Sequence, residues 1–117
     1  RLLTEQRLEN ERRYYHNLVE SLDDWVWEID ETGKIIYSNK AGEKILGYPN
    51  REIIGKKMSA FWTPEQRKIS ENWFNNEFKS GIDWKNYITS FKNKKRETIH
   101  LESTAVPVYE EKRFIGY

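Results

Sequence analysis

The chain has no cysteine, only three prolines and one methionine in 117 residues, and no apolar run long enough to cross a membrane. Without cysteine there is no thiolate nucleophile, no thiolate-held zinc or iron–sulfur cluster and no thiol-linked chromophore. The same absence fits a reducing compartment, so the expected location is cytoplasmic. A span needs roughly 18 consecutive apolar residues, and no segment near the start has signal-peptide anatomy, so direct membrane insertion is not expected. An excess of one charge is missing too. Twenty Lys+Arg against nineteen Asp+Glu leave +1, and no global field draws the chain to nucleic acid or an anionic surface. What is abundant is aromatic: 15% of the residues, including Trp25, Trp27, Trp62, Trp73 and Trp84. Rings at that density fill a core, an interface or a ligand pocket. The length supports one core that needs neither disulfide nor structural metal. Because the chain opens at Arg1 and stops at Tyr117 within a strand-like segment, it reads as a fragment of a larger protein.

From Arg1 to about Leu22 there is no Gly or Pro, and Leu8, Tyr15, Leu18 and Leu22 form one narrow stripe on an amphipathic helix. Glu9 precedes Arg12 and Arg13 at helical spacing, as on a solvated flank. So thin an apolar edge needs a partner, either the domain's own sheet or the same helix of a second copy. Residues 1–22 are therefore set apart from a domain over 23–117. Trp25 to Asp30 favours a strand, Glu31 to Lys34 a turn and Ile35 to Ser38 a second strand. Asn39 is placed to cap a helix from Lys40 to Leu46 that Gly47 ends, and Asn50 to cap a turn through Ile54. Thr63-Pro64-Glu65-Gln66 starts a longer helix, with Gln66 completing a capping box and Ile69, Trp73, Phe74 and Phe78 on the apolar face. Residues 83–92, 98–108 and 113–117 then read as three more strands. The fold class is α+β: a five-stranded antiparallel sheet with helices on one face, preceded by the amphipathic helix.

The segment from Trp27 to Asn39 (WEIDETGKIIYSN), with Ile45-Leu46-Gly47-Tyr48, Glu52-Ile53-Ile54-Gly55-Lys56 and Ala105-Val106-Pro107-Val108, resembles the PAS family of sensor domains over about Tyr15 to Tyr117. Two turns depart from the family pattern, which usually places glycine where this chain has Asn93-Lys94-Lys95-Arg96 and Glu110-Glu111-Lys112-Arg113. The resemblance implies a domain that holds a small molecule between sheet and helices, or holds nothing, and passes strain to flanking helices joined to an output domain.

The resemblance also sets the chemistry to look for. A haem-binding relative needs an axial His on the long helix or a Cys-x-x-Cys-His site, and His16 and His100 fall on the leading helix and a strand. A photosensing relative of the LOV type needs a cysteine beside its flavin. Haem and cysteinyl flavin are thereby ruled out, no cofactor is expected, and non-covalent flavin stays open. The adjacent carboxylates of Asp23-Asp24 and Glu110-Glu111 point apart and read as solvated turns. There is no Ser/His/Asp grouping or phosphate-binding glycine loop. The basic run Lys92 to Arg96 reads as a charged hairpin tip, with no nucleic acid expected.

In a PAS-like sheet, strand alternation turns Trp27 and Ile29, then Tyr87, Thr89 and Phe91, then Ile99, Leu101, Ser103 and Ala105 inward. They face Leu46, Phe61, Phe74 and Phe78 from the helices. The candidate pocket lining is Trp27, Ile29, Phe61, Phe74, Phe78, Tyr87, Phe91, Leu101 and Ser103, with no metal ligands and no catalytic acid or base. Such a lining either packs shut, the favoured reading, or holds an apolar or aromatic ligand through one or two hydrogen bonds. The expected role is a signal-relay and dimerisation domain of a sensor such as a histidine kinase or cyclic-dinucleotide enzyme, not an enzyme in itself. The homodimer is expected through Leu8, Tyr15, Leu18 and Leu22. The alternative is a small-molecule sensor.

Overall fold

The structure, a computed structural model, describes residues 2–76, 78, 81 and 83–117, without the side chains of residues 72 and 74–76. Helix α1 spans Leu2–Ser21 and buries none of its residues. The apolar stripe at Leu8, Tyr15, Leu18 and Leu22 is exposed, as are Leu2, Leu3 and Tyr14. An ion pair on its flank joins Arg7 and Glu11 at 3.3 Å, one helical turn apart.

Three hydrogen bonds tie the end of α1 to the rest of the chain. Asn39 Nδ2 donates to Val19 O at 3.0 Å, Tyr37 OH to Glu20 Oε2 at 2.5 Å, and the Lys40 amide to Glu20 Oε1 at 3.1 Å. Partial burial, followed by the hydrogen bond and the charge of Glu20, pushes the Tyr37 hydroxyl up to about 12. A raised pKa means the neutral phenol is the form that folding favours. The bond's contribution is whole below the ordinary tyrosine value near 10 and is lost as pH climbs through about 12. We expect α1 to loosen from the domain across that window, read as faster amide exchange at Val19 and Glu20, and Tyr37→Phe to remove the pH dependence.

Strands β1 (Trp27–Ile29) and β2 (Ile35–Ser38) form the first hairpin. Its turn is organised by the Asp30 carboxylate, which accepts from Thr32 N at 2.8 Å, Thr32 Oγ1 at 2.7 Å and Lys34 N at 3.0 Å. Burial would raise this carboxyl's pKa, but the bonds from Thr32 and Lys34 outweigh it and hold the value below the usual range. Strand β1 is shorter than expected because Trp25 and Val26 leave the ladder toward Asn39. That residue is fully buried and caps no helix with its side chain, contrary to expectation. Its Oδ1 accepts from Val26 N at 3.0 Å while Nδ2 also donates to Asp24 O at 2.9 Å.

Helix α2 (Lys40–Leu46) closes at Gly47 as anticipated, and α3 (Asn50–Ile53) includes Asn50 as its first residue, with Pro49 at the cap position. A 3₁₀ turn at Met58–Phe61 leads to α4 (Pro64–Asn76). Thr63 Oγ1 accepts from Gln66 N at 3.1 Å, the predicted cap. The Gln66 side chain does not reach back to complete a box. It donates to Ser70 Oγ at 2.7 Å and accepts from Ser90 N at 3.0 Å, stitching α4 to the strand alongside. Ile69, assigned to the apolar face, is 68% exposed, because Gln66, Ser70 and Trp73 are the residues turned inward.

Strands β3 (Trp84–Lys92), β4 (Thr98–Ala105), β5 (Val108–Glu110) and β6 (Arg113–Gly116) complete the chain. The described residues form three antiparallel pairs, β1–β2, β3–β4 and β5–β6, not the single five-stranded sheet expected. One cause is Pro107. It has no amide hydrogen to donate, and the predicted strand over 98–108 breaks around it into β4 and β5. The pairs meet at narrow seams: Asp30 bridges Gly116, and Ile29 and Tyr117 exchange backbone bonds of 2.8 and 3.0 Å. Trp62 bridges Phe91. Ile29, Ile35, Leu46, Ile53, Phe61, Phe78 and Phe91 form the core between strands and helices.

The glycine-free turns keep left-handed backbone. Arg96 has φ 65°, and Glu111 and Lys112, the two residues between Glu110 and its pairing partner Arg113, have φ 49° and 69°. Two consecutive positive φ values at a two-residue connection define a type I′ turn. Because a side chain disfavours this region by roughly 1–2 kcal/mol, Lys112→Gly should stabilise the domain by about 1 kcal/mol in urea unfolding.

A candidate ligand cavity

A cavity of about 450 Å³ lies between the strands, α4 and the 3₁₀ turn. Trp27 and Ile29 reach it from β1, Tyr87, Thr89 and Phe91 from β3, and Leu101 and Ser103 from β4. Alternation along β4 holds throughout: Ile99, Leu101 and Ser103 are half-buried, while Thr98, His100, Glu102 and Thr104 are exposed. Six expected residues thus line one space, Trp27, Ile29, Tyr87, Phe91, Leu101 and Ser103, with Tyr87 at the rim and 42% exposed. Phe61 and Phe78 do not line it, being buried in the core beside it. The side chain of Phe74 lies outside the described residues.

Four more tryptophans line the cavity, Trp25, Trp62, Trp73 and Trp84, together with Ile45 and Met58, so all five of the chain's indoles meet there. Two of the omissions from the sequence reading have a physical reason. Asn86, at φ 53°, sits in a bulge between Trp84 and Tyr87 that resets the inward phase of β3. Trp84 therefore turns in and pairs with Ala105. Trp73, already expected on the apolar face of α4, follows Gln66 and Ser70 at helical spacing and so reaches the cavity. Trp25 precedes β1 and is drawn in by a side-chain bond, its Nε1 donating to Ser38 Oγ at 2.9 Å.

The rings are braced by one another. Trp27 stacks on Trp84 at 6.1 Å, and Trp73 stands at 88° to Trp84 with centroids 5.1 Å apart. Trp25 meets Phe91 edge-on at 5.7 Å. Ser103, one of the few polar residues of the expected lining, accepts from Trp84 Nε1 at 3.3 Å and so fixes an indole. Braced in this way, the rings border the cavity. Among the described residues no three His, Cys, Asp or Glu are grouped to hold a metal, and no helix is long and apolar enough to cross a membrane. Among the described residues the lining holds no Asn, Gln, Lys or Arg.

A family model described as the PAS fold matches residues 13–117. The chain belongs to the PAS family. Solved structures agree on the fold. The PAS domain of an HTR-like protein from Haloarcula marismortui is 20% identical, with a TM-score of 0.78, covering 100% of this chain and 98% of that one. A PAS domain from a two-component sensor histidine kinase is 12% identical, with a TM-score of 0.72 and coverage of 92% of each chain. A domain of a sensory box sensor histidine kinase/response regulator from Geobacter sulfurreducens is 16% identical, with a TM-score of 0.72 and 93% of each chain covered. No curated protein sequence matches the chain. Within the PAS domain the cavity occupies the space between strands and helices, where the sequence resemblance implied a ligand would sit.

Proposed function

We propose that this PAS domain is the sensory and relay module of a larger cytoplasmic signalling protein, such as a histidine kinase or cyclic-dinucleotide enzyme, and that its cavity takes a small apolar or aromatic molecule. The cavity itself is the observation that carries the reading: about 450 Å³, walled by rings, within the usual size range of ligand sites. The domain over 23–117 senses, the helix over 1–22 transmits, and the chain itself catalyses nothing. Native mass spectrometry of the purified domain, before and after an organic wash, tests the sensory part. A released small molecule and a lower melting temperature after the wash support it; an unchanged mass and melting temperature count against it.

The second element is a homodimer through Leu8, Tyr15, Leu18 and Leu22, favoured because this stripe is exposed along α1. Truncation at Ser21 would be a poor test, since it deletes the Val19 and Glu20 anchors to Asn39 and Tyr37. Leu8→Glu with Tyr15→Glu leaves those bonds in place. In sedimentation at tens of micromolar protein, roughly the regime of a weak interface, the parent should be dimeric and the variant monomeric. A monomeric parent would end the idea.

A further inference from the structure

The charge around the cavity is one-sided. Asp23, Asp24 and Glu102 belong to its lining, and among the described residues no Lys, Arg or His does, although 20 of the chain's 117 residues are Lys or Arg. All three belong to exposed residues outside the aromatic interior, Glu102 on the outward phase of β4. Inside are indoles in differing orientations, with Trp73 perpendicular to Trp84 and Trp27 stacked against it. Two of the five have their N–H groups engaged by Ser38 and Ser103. An indole whose N–H is already satisfied offers a ligand mainly its π face, which carries negative potential. Neutral aromatic compounds gain area from such walls but nothing from the carboxylates. Anions are repelled by both. An alkylated ammonium gains from both, because its charge is diffuse enough to be desolvated against rings while the carboxylates supply long-range attraction.

Resting on the ligand-cavity reading above, we infer that the cavity selects organic cations, specifically alkylated ammonium compounds bearing an apolar or aromatic body. The test compares phenyltrimethylammonium with tert-butylbenzene, its uncharged isostere, each titrated into the full chain. Indole fluorescence is a direct readout because all five tryptophans line the cavity. The cation should bind roughly tenfold more tightly than the isostere, the scale of a desolvated cation–π contact. The triple substitution Asp23→Asn, Asp24→Asn, Glu102→Gln, confined to exposed positions, should erase much of that preference and leave the isostere's affinity unchanged. Equal binding of the two probes, or tighter binding of tert-butylbenzene, overturns the cation selectivity while leaving a ligand cavity standing. Failure of both probes to bind defeats the cavity reading as well. A preference that survives the triple substitution overturns the part assigned to the carboxylates.

Discussion

Gly116→Ala should destabilise the domain by about 3 kcal/mol, through a left-handed backbone and overpacking together. Gly116 has φ 142°, and a methyl group there would strike the backbone oxygen of Ile29 and stand 2.9 Å from backbone atoms of Asp30. Backbone cannot rotate aside as a side chain would. The seam between β1 and β6 runs through this point, so the substitution forces the Ile29 and Tyr117 exchange of bonds apart. Gly55→Ala is the matched control. Gly55 also has positive φ, 90°, but nothing lies within 4 Å of the added carbon, so only the backbone term of about 1 kcal/mol remains. Urea unfolding of both variants separates strain from collision, and equal losses would show that the seam does not constrain position 116.

Phe78→Ala should cost about 3–5 kcal/mol, the range for truncating a fully buried phenylalanine. Phe78 is 2% exposed and its ring contacts Trp73 at 5.9 Å, Phe114 at 5.8 Å and Tyr117 at 5.2 Å. Its carbonyl also accepts the Tyr117 hydroxyl at 3.0 Å. Tyr117→Phe deletes that bond but keeps the ring, and should cost only about 1 kcal/mol. Leu101→Ala, which the sequence alone would class with buried leucines, should fall well short of Phe78→Ala. Leu101 is half-buried and already borders the cavity, so its truncation removes fewer packing partners. Calorimetric melting of the three variants in parallel checks the order.

Local chemistry was legible wherever one residue decides one element. Thr63-Pro64 announced the start of α4, Gly47 the end of α2, and strict alternation fixed the inward face of β4. The family was legible from ordered short motifs. What escaped was non-local. Asn39 has the composition of a cap, and only tertiary structure brings Val19, Asp24 and Val26 within reach of its amide. Trp73 turns inward from α4 as expected, but Ile69 does not, because Gln66 and Ser70 take the inner face by bonding to each other and to β3. The inward turn of Trp84 depends on one left-handed residue, Asn86, that alternation alone could not foresee. Four indoles were thus missed at the cavity although every one was visible as composition.

The attachment of α1 at its last turn makes it a lever. Its ties to the domain run to Val19 and Glu20, whereas Leu2 lies at the opposite end of a 20-residue rod. Such a rod is about 30 Å long, so a tilt of only about 10° about Asn39 carries its free end through about 5 Å. That is close to the rise of one helical turn, enough to change which of its own side chains face any given point alongside it. A sub-ångström adjustment at one buried asparagine is thereby magnified along the axis of the helix, and the gain is set by the helix's length, not by the softness of the domain.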